Sequence, residues 1–237
     1  MKTIIILASI YFFFISTSVA QAQIEVQGTE YILAKLRFNR AIEGIRDNTY
    51  QDIEGEPFMF EDFLMGNIKL KDEGTYNGLL RFDKYAGEIH FKKENDIYAI
   101  AFPEKTEYIE IDDTRFIYSE FQLSGSTPVS DEGAYFVVLL DDKCKLLAKK
   151  NITIKDAQQS KGVVEAKPAK FINQNDSYFL KIGDTPAVRI KTKKDLNLFF
   201  ENKGAGISDF IKKEKIKTND PEGLVKLAKF YNKQLSQ

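Results

Sequence analysis

One cysteine, one histidine and no tryptophan occur in the 237 residues, and each scarcity removes a class of chemistry. Cys144 has no partner for an intramolecular disulfide, so the fold must stand on apolar burial. Zinc centres need several Cys and His ligands, and the chain does not supply them. His90 is the one base open to a Ser-His-Asp triad, and no GxSxG turn exists to present a serine. No catalytic residue, metal or cofactor is therefore expected, and the chain reads as a non-enzyme.

Long apolar runs are also scarce after the first residues. The opening MKTIIILASIYFFFISTSVAQAQ has a lysine at position 2, an apolar run from Ile4 to Ile15, and small residues at Ser18, Ala20 and Ala22. That is the layout of a secretory signal peptide over residues 1–22. Its core is shorter than the roughly 20 residues a bilayer crossing needs, so no transmembrane span is expected after its removal. With no cysteine near the cleavage site, a bacterial lipid anchor is not available either.

Aromatic and apolar residues are plentiful: 19 Phe and 11 Tyr among 43% hydrophobic residues, enough to exclude disorder. Residues 23–65 form an N-terminal segment of open type. Within it, TEYILAKLRFNRAIEGIR fits a helix or a strand, and Phe58, Phe60 and Phe63 re-enter the core from a loop. Residues 66–191 show turn signals every eight to twelve residues. Between them lie the strand-like runs NIKLK, YNGLLRF, GEIHFK, IYAIAF, EYIEI, RFIYSEF, YFVVLL, KLLAKKNITI, AKFIN, YFLKI and AVRI. Tight turns are expected at KYAG, KENDI, IDDT, LDDK, NQND and GDTP.

Residues 192–237 change to helical spacing. Thr192 and Asp195 suggest a capping box before Leu196, Phe199 and Phe200. Ser208 is the expected cap of a second helix, and Asp220 with Pro221 opens a third that buries Leu224, Leu227, Ala228, Tyr231 and Leu235. The fold class is thus mainly β (α+β): an antiparallel meander, sandwich or barrel-like body with a small C-terminal helical subdomain.

The residues that could carry chemistry have plainer explanations. Asp112-Asp113 and Asp141-Asp142 sit where hairpins turn, although four carboxylates could hold a cation if the two tips were neighbours. Alternation in GEIHFK puts His90 on a solvent face, and Cys144 reads as a small buried hydrophobe; Cys144→Ser and His90→Ala are expected to be nearly silent. Gly204 and Gly206 break one helix from the next. Asn151 and Asn175 match the glycosylation pattern. A hydrolase could use two carboxylates, such as Glu88 with Glu110, only at a separation of roughly 5–9.5 Å.

Charge is the more informative pattern. Residues 1–142 carry 13 Lys and Arg against 25 Asp and Glu, while residues 143–237 carry 21 against 10. Either the halves attract one another within the fold, or a basic face meets an acidic partner. The basic end gathers Lys193, Lys194, Lys212, Lys213, Lys215 and Lys217, which are the candidate partner-binding residues.

In order, YQDIEGEPFMFEDFLMGNIKL, LLRFDKYAGEIHFK, YFVVLL with KCKLLAKKNI, KPAKFINQNDSYFLKI, and TKKDLNLFF with its lysine-rich helical end resemble a group of uncharacterised exported proteins of Bacteroidota, especially flavobacteria. The resemblance implies a Gram-negative envelope and argues against eukaryotic glycosylation of the two Asn sites. It carries over no activity and no site residue. The resulting expectation is an exported, non-catalytic interaction protein of the periplasm or outer membrane, with a protein partner in an envelope or secretion assembly. An anionic membrane surface is a second candidate partner, and nucleic acid is not expected. The alternatives are a barrel or sandwich that binds a small apolar or carbohydrate ligand, and a carboxylate-based hydrolase.

Overall fold

The computed structural model describes residues 50–71, 74–160 and 165–235. The expected signal peptide and the ambiguous segment at 29–46 lie outside them. Twelve strands form one curled sheet in the order β5-β4-β3-β2-β6-β7-β9-β10-β11-β12-β8, with β1 added beside β11. The strands are β1 (Ile53–Glu54), β2 (Leu64–Leu70), β3 (Thr75–Asp83), β4 (Glu88–Lys93), β5 (Asp96–Ala99), β6 (Thr106–Ile111), β7 (Thr114–Ser119), β8 (Phe121–Gln122), β9 (Ala134–Leu140), β10 (Cys144–Lys155), β11 (Ala169–Ile182) and β12 (Ala187–Arg189). Pairing is antiparallel except at β1–β11 and β12–β8, so the body is the barrel-like antiparallel sheet expected. No helix among the described residues is long and apolar enough to cross a membrane.

Alternation along the strands builds the interior. Ile68, Leu80, Ile89, Phe91, Ile109 and Phe116 all point into the curl and are fully buried. Each such side chain contributes about 1.5–3 kcal/mol on leaving water. Residues 50–63 then cross from β11 to β3 and close the open side. Ile53 pairs with Ala169, Met59 N–H donates to Phe82 C=O at 2.9 Å, and Lys84 N–H donates to Pro57 C=O at 3.0 Å. Asp83, buried at the β3–β4 turn, accepts from Tyr50 Oη and from the amides of Tyr85 and Ala86 at 2.8–2.9 Å.

This crossing segment overturns the solvent-facing expectation for His90. The histidine does sit opposite Ile89 and Phe91 in the alternation, but it is only 2% exposed. Phe58 covers it with ring centroids 6.1 Å apart, and Phe58 and Phe63 also sandwich the guanidinium of Arg81, the cross-strand neighbour of His90. Strand periodicity reports two faces and cannot report that a segment thirty residues upstream covers one of them. His90→Ala should therefore not be silent.

A second expectation also fails. AKFIN, NQND and YFLKI are one strand, β11, with no turn at residues 173–176. Its polar middle is accommodated by β10, where Asn175 and Asp176 together oppose Lys150 as a bulge in the ladder. Local bonds suit the polar side chains to that place: Lys150 Nζ to Asp176 at 2.7 Å, Gln174 Nε2 to Thr153 Oγ1 at 3.1 Å, and Asn151 Nδ2 to Ser177 Oγ at 3.0 Å. The two sequon asparagines are thus neighbours: Asn151 pairs with Gln174, and its Nδ2 donates to Asn175 C=O at 2.7 Å. The other five expected turns fall between or at the ends of strands.

Three helices follow: α1 (Lys193–Phe199), α2 (Ile207–Lys213) and α3 (Pro221–Gln234). The Thr192–Asp195 capping box forms as expected. Gly206, in the left-handed region at φ 76°, caps α2 in place of Ser208, which lies inside the helix; only glycine takes that conformation without strain. The helices bury Leu196, Phe199, Ile207, Ile211, Leu224 and Leu227 against Cys144, Leu146, Leu180 and Ile190 of the sheet. Leu235 remains 40% exposed, because α3 ends at Gln234.

Asn232 fastens this layer. Its side chain accepts from Cys144 N–H at 2.7 Å and donates to Cys144 C=O at 3.0 Å, both in buried surroundings. Truncating it strands two buried backbone groups, so Asn232→Ala should lower stability by about 2–3 kcal/mol, measured as a shift in the urea midpoint. His90→Ala should lower it by about 1–2 kcal/mol in the same assay, with no change if Phe58 does not rest on the imidazole.

Candidate interaction surfaces

β10 and β11 present two different surfaces on their two sides. Leu146 and Leu180, cross-strand partners, point to the helices; Lys145 and Lys181, the next pair along, point the other way. Among the described residues no α-helix covers that second side. A groove of about 810 Å³ runs over β6, β7, β9, β10 and β11, floored by Tyr108, Arg115, Ile117, Lys145 and Lys181. Its walls are the β7–β9 connection with Glu120, Asp131 and Glu132, the start of β6 with Glu104 and Glu107, and the β11–β12 turn with Asp184. Seven carboxylates line it against four cations, so the groove is net acidic.

The floor is organised by Arg115. Its Nε and Nη2 donate to Glu110 Oε1 at 2.9 and 2.6 Å, its Nη1 donates to Asp141 Oδ2 at 2.9 Å, and its guanidinium lies 4.5 Å from the Tyr108 ring centroid. Asn67 Nδ2 donates to Glu110 Oε2 at 2.9 Å, and Lys145 pairs with Asp141. The Asn67 amide, then Arg115, hold the Glu110 carboxyl below the ordinary glutamate range. Burial pushes the Asp141 carboxyl up, but Lys145 and Arg115 outweigh it and leave the group below the usual aspartate range.

This network also answers the question of the paired aspartates. β7 pairs with β9, which brings the 112–113 and 141–142 turns to the same end of the sheet. Asp112 adopts φ 50°, the left-handed geometry that turn chemistry predicts. The Arg115 guanidinium engages Asp141 of one tip and Glu110 of the strand leading into the other, and among the described residues no group of three or more His, Cys, Asp or Glu is arranged to hold a metal. Nor are Glu88 and Glu110 brought together. Glu110 lies opposite Asn67 and through it Asn77, whereas Glu88 lies opposite Asp83, six residues further along β3. At about 3.3 Å per residue that is roughly 20 Å, beyond the reach of a two-carboxylate hydrolysis.

Cys144 is fully buried between sheet and helices, and burial pushes its thiol up to about 12. It is a packing residue, as the composition suggested. The aromatic residues are chiefly interior too: Phe136 and Phe179 pack 4.8 Å apart under Phe121, and Phe82 and Phe116 lie 5.1 Å apart in the curl.

The basic end forms the other surface. Lys193, Lys194, Lys212, Lys213, Lys215 and Lys217 are all exposed. They come from two stretches of chain, and one bond joins those stretches: Thr218 Oγ1 donates to Lys191 C=O at 3.0 Å, laying the α2–α3 connection beside the start of α1. Residues 191–217 hold eight lysines against four carboxylates. Thr218 gave no signal in the sequence, and neither did Arg115, whose role depends on strand partners at 110 and 141.

Compared with protein-family models, curated proteins and solved structures, the chain matches none of them significantly. The surfaces themselves are what bear on function.

The Arg115 network has a defined pH dependence. Both carboxyls titrate lower when folded than when unfolded, so their contribution is complete above the ordinary carboxylate range and is lost as pH falls through the folded values. Wild type should exceed Arg115→Ala in thermal midpoint at pH 7, and the gap should narrow as pH drops below about 4. A constant gap would mean that Arg115 acts through packing on Tyr108 alone.

Proposed function

We propose that this chain is an exported, non-catalytic interaction protein of the periplasm or outer membrane, an accessory subunit of an envelope or secretion assembly. The observation that supports the reading is the Thr218–Lys191 bond, which lays the end of one lysine stretch beside the start of the other, with the lysines of both exposed. A solvated lysine is inexpensive anywhere on a protein, but a tertiary contact that concentrates several of them works against their mutual repulsion. Such a surface steers an acidic partner and fixes its orientation more than it adds raw affinity. The helices that bear it pack on β10 and β11 through a large apolar contact, so the lysines are displayed from a rigid base.

The test is affinity capture of the tagged protein from its own envelope, with the companions identified by mass spectrometry. One stoichiometric partner is expected. The fourfold variant Lys193→Glu, Lys194→Glu, Lys212→Glu, Lys213→Glu should weaken it by about tenfold or more, in a salt-dependent way. Sedimentation with anionic vesicles distinguishes a protein partner from a lipid surface. A chain that emerges alone and monomeric, or a partner indifferent to the four substitutions, would overturn the assignment of this surface.

A further inference from the structure

The charge asymmetry along the chain could have been neutralised inside the fold, with the acidic first part lying against the basic last part. For the lysines of the helical end, the sheet prevents it. Because successive residues of β10 and β11 point to opposite faces, the helical layer with its lysines covers one face, and the acidic groove lies on the other. The pairs of Arg115 with Glu110 and Asp141, Lys145 with Asp141, and Lys150 with Asp176 do not engage the lysines of the helical end. The molecule therefore keeps a basic surface and an acidic concave surface that cannot reach each other within one copy.

We infer that the groove is a docking surface for the lysine-rich helical end of a second copy of this chain. The inference rests on the reading of that end as a partner-binding surface and names the partner. Three features of the groove suit such an occupant. It is concave, with a volume of about 810 Å³, while the α2–α3 end that would enter it is built of short helices and a turn. Its surplus charge is negative and stands on the rim, at Glu107, Glu120, Asp131 and Glu132, all exposed. Two of its floor cations, Arg115 and Lys145, are already engaged by carboxylates, so they oppose an incoming lysine less than their number suggests.

The two surfaces differ, so the contact is head-to-tail. Each copy that docks its basic end leaves its own groove open for the next, and the assembly grows until it closes into a ring or continues as a filament. Association of this kind depends on long-range attraction between exposed charges and weakens as salt screens them.

The experiment is sedimentation velocity of the protein purified in its natural processed form. At about 10 mM salt, where the screening length is about 30 Å, the average mass should rise with protein concentration to twice the monomer or more; at about 1 M, where it is about 3 Å, only monomer should remain. Two variants complete the test. Lys212→Glu with Lys213→Glu and Lys217→Glu disables the basic end, and Glu107→Lys with Glu120→Lys and Glu132→Lys disables the groove. Each variant alone should be monomeric, and their mixture should stop at a pair containing one of each, because one working groove and one working end remain. A wild type that stays monomeric at 10 mM salt and high concentration overturns the inference, as does association that persists in 1 M salt or in either variant alone. If envelope capture still yields a lysine-dependent partner in that case, the proposed function stands and only the identity of the partner changes.

Discussion

The pairing of β10 with β11 is the constraint on which the rest of this protein depends. These are the two longest strands, 12 and 14 residues, and they stay in register through a single bulge. One side of the pair supplies Leu146 and Leu180 as the floor for three helices, and the other supplies Lys145 and Lys181 to the groove. A slip of one residue would exchange those sides, burying lysines beneath the helices and exposing leucines in the groove. The bulge at Asn175 and Asp176 and the Asn232 clamp on Cys144 both oppose such a slip, from the ladder and from the helical layer respectively.

Closure of the curl follows a different logic. Among the described residues no strand joins β11 back to β3; residues 50–63 do so with a two-residue parallel pairing, a few backbone bonds and half-buried aromatic rings. The polar groups beneath this segment are provided for where they lie. Asp83 is satisfied by Tyr50 and two turn amides, and Arg81 is held between Phe58 and Phe63. Apolar and aromatic cover over a charged pair of strands makes the outer face of β3–β4 a second, smaller interior.

The candidate surfaces were legible to unequal degrees. The lysines announced themselves by composition, since a run such as KKEK needs no fold to be noticed. That they form one surface depends on Thr218 reaching Lys191, and nothing in either local stretch signals it. Arg115 is less visible still: one of 34 basic residues, placed between Glu110 and Asp141 by two strand pairings. The aspartate doublets show the reverse case. Turn chemistry explains why they are there, and only the arrangement of hairpins decided that an arginine would pair with Asp141 of one of them.

Sequence alone determined the kinds of element and most of their limits, because side-chain alternation, helix capping and turn residues act over a few positions. It determined the inert cysteine as well, since strand alternation turns the flanking Lys143 and Lys145 to the face opposite Cys144. The tertiary structure decided what covers what: that His90 is enclosed, that NQND holds a bulge within a strand, and that the lysine-rich helices and the acidic groove lie on opposite sides of β10 and β11. The physical reason is one of range. Burial and electrostatic partnership are properties of neighbours in space, and in an antiparallel sheet those neighbours come from strands whose order the local pattern does not encode.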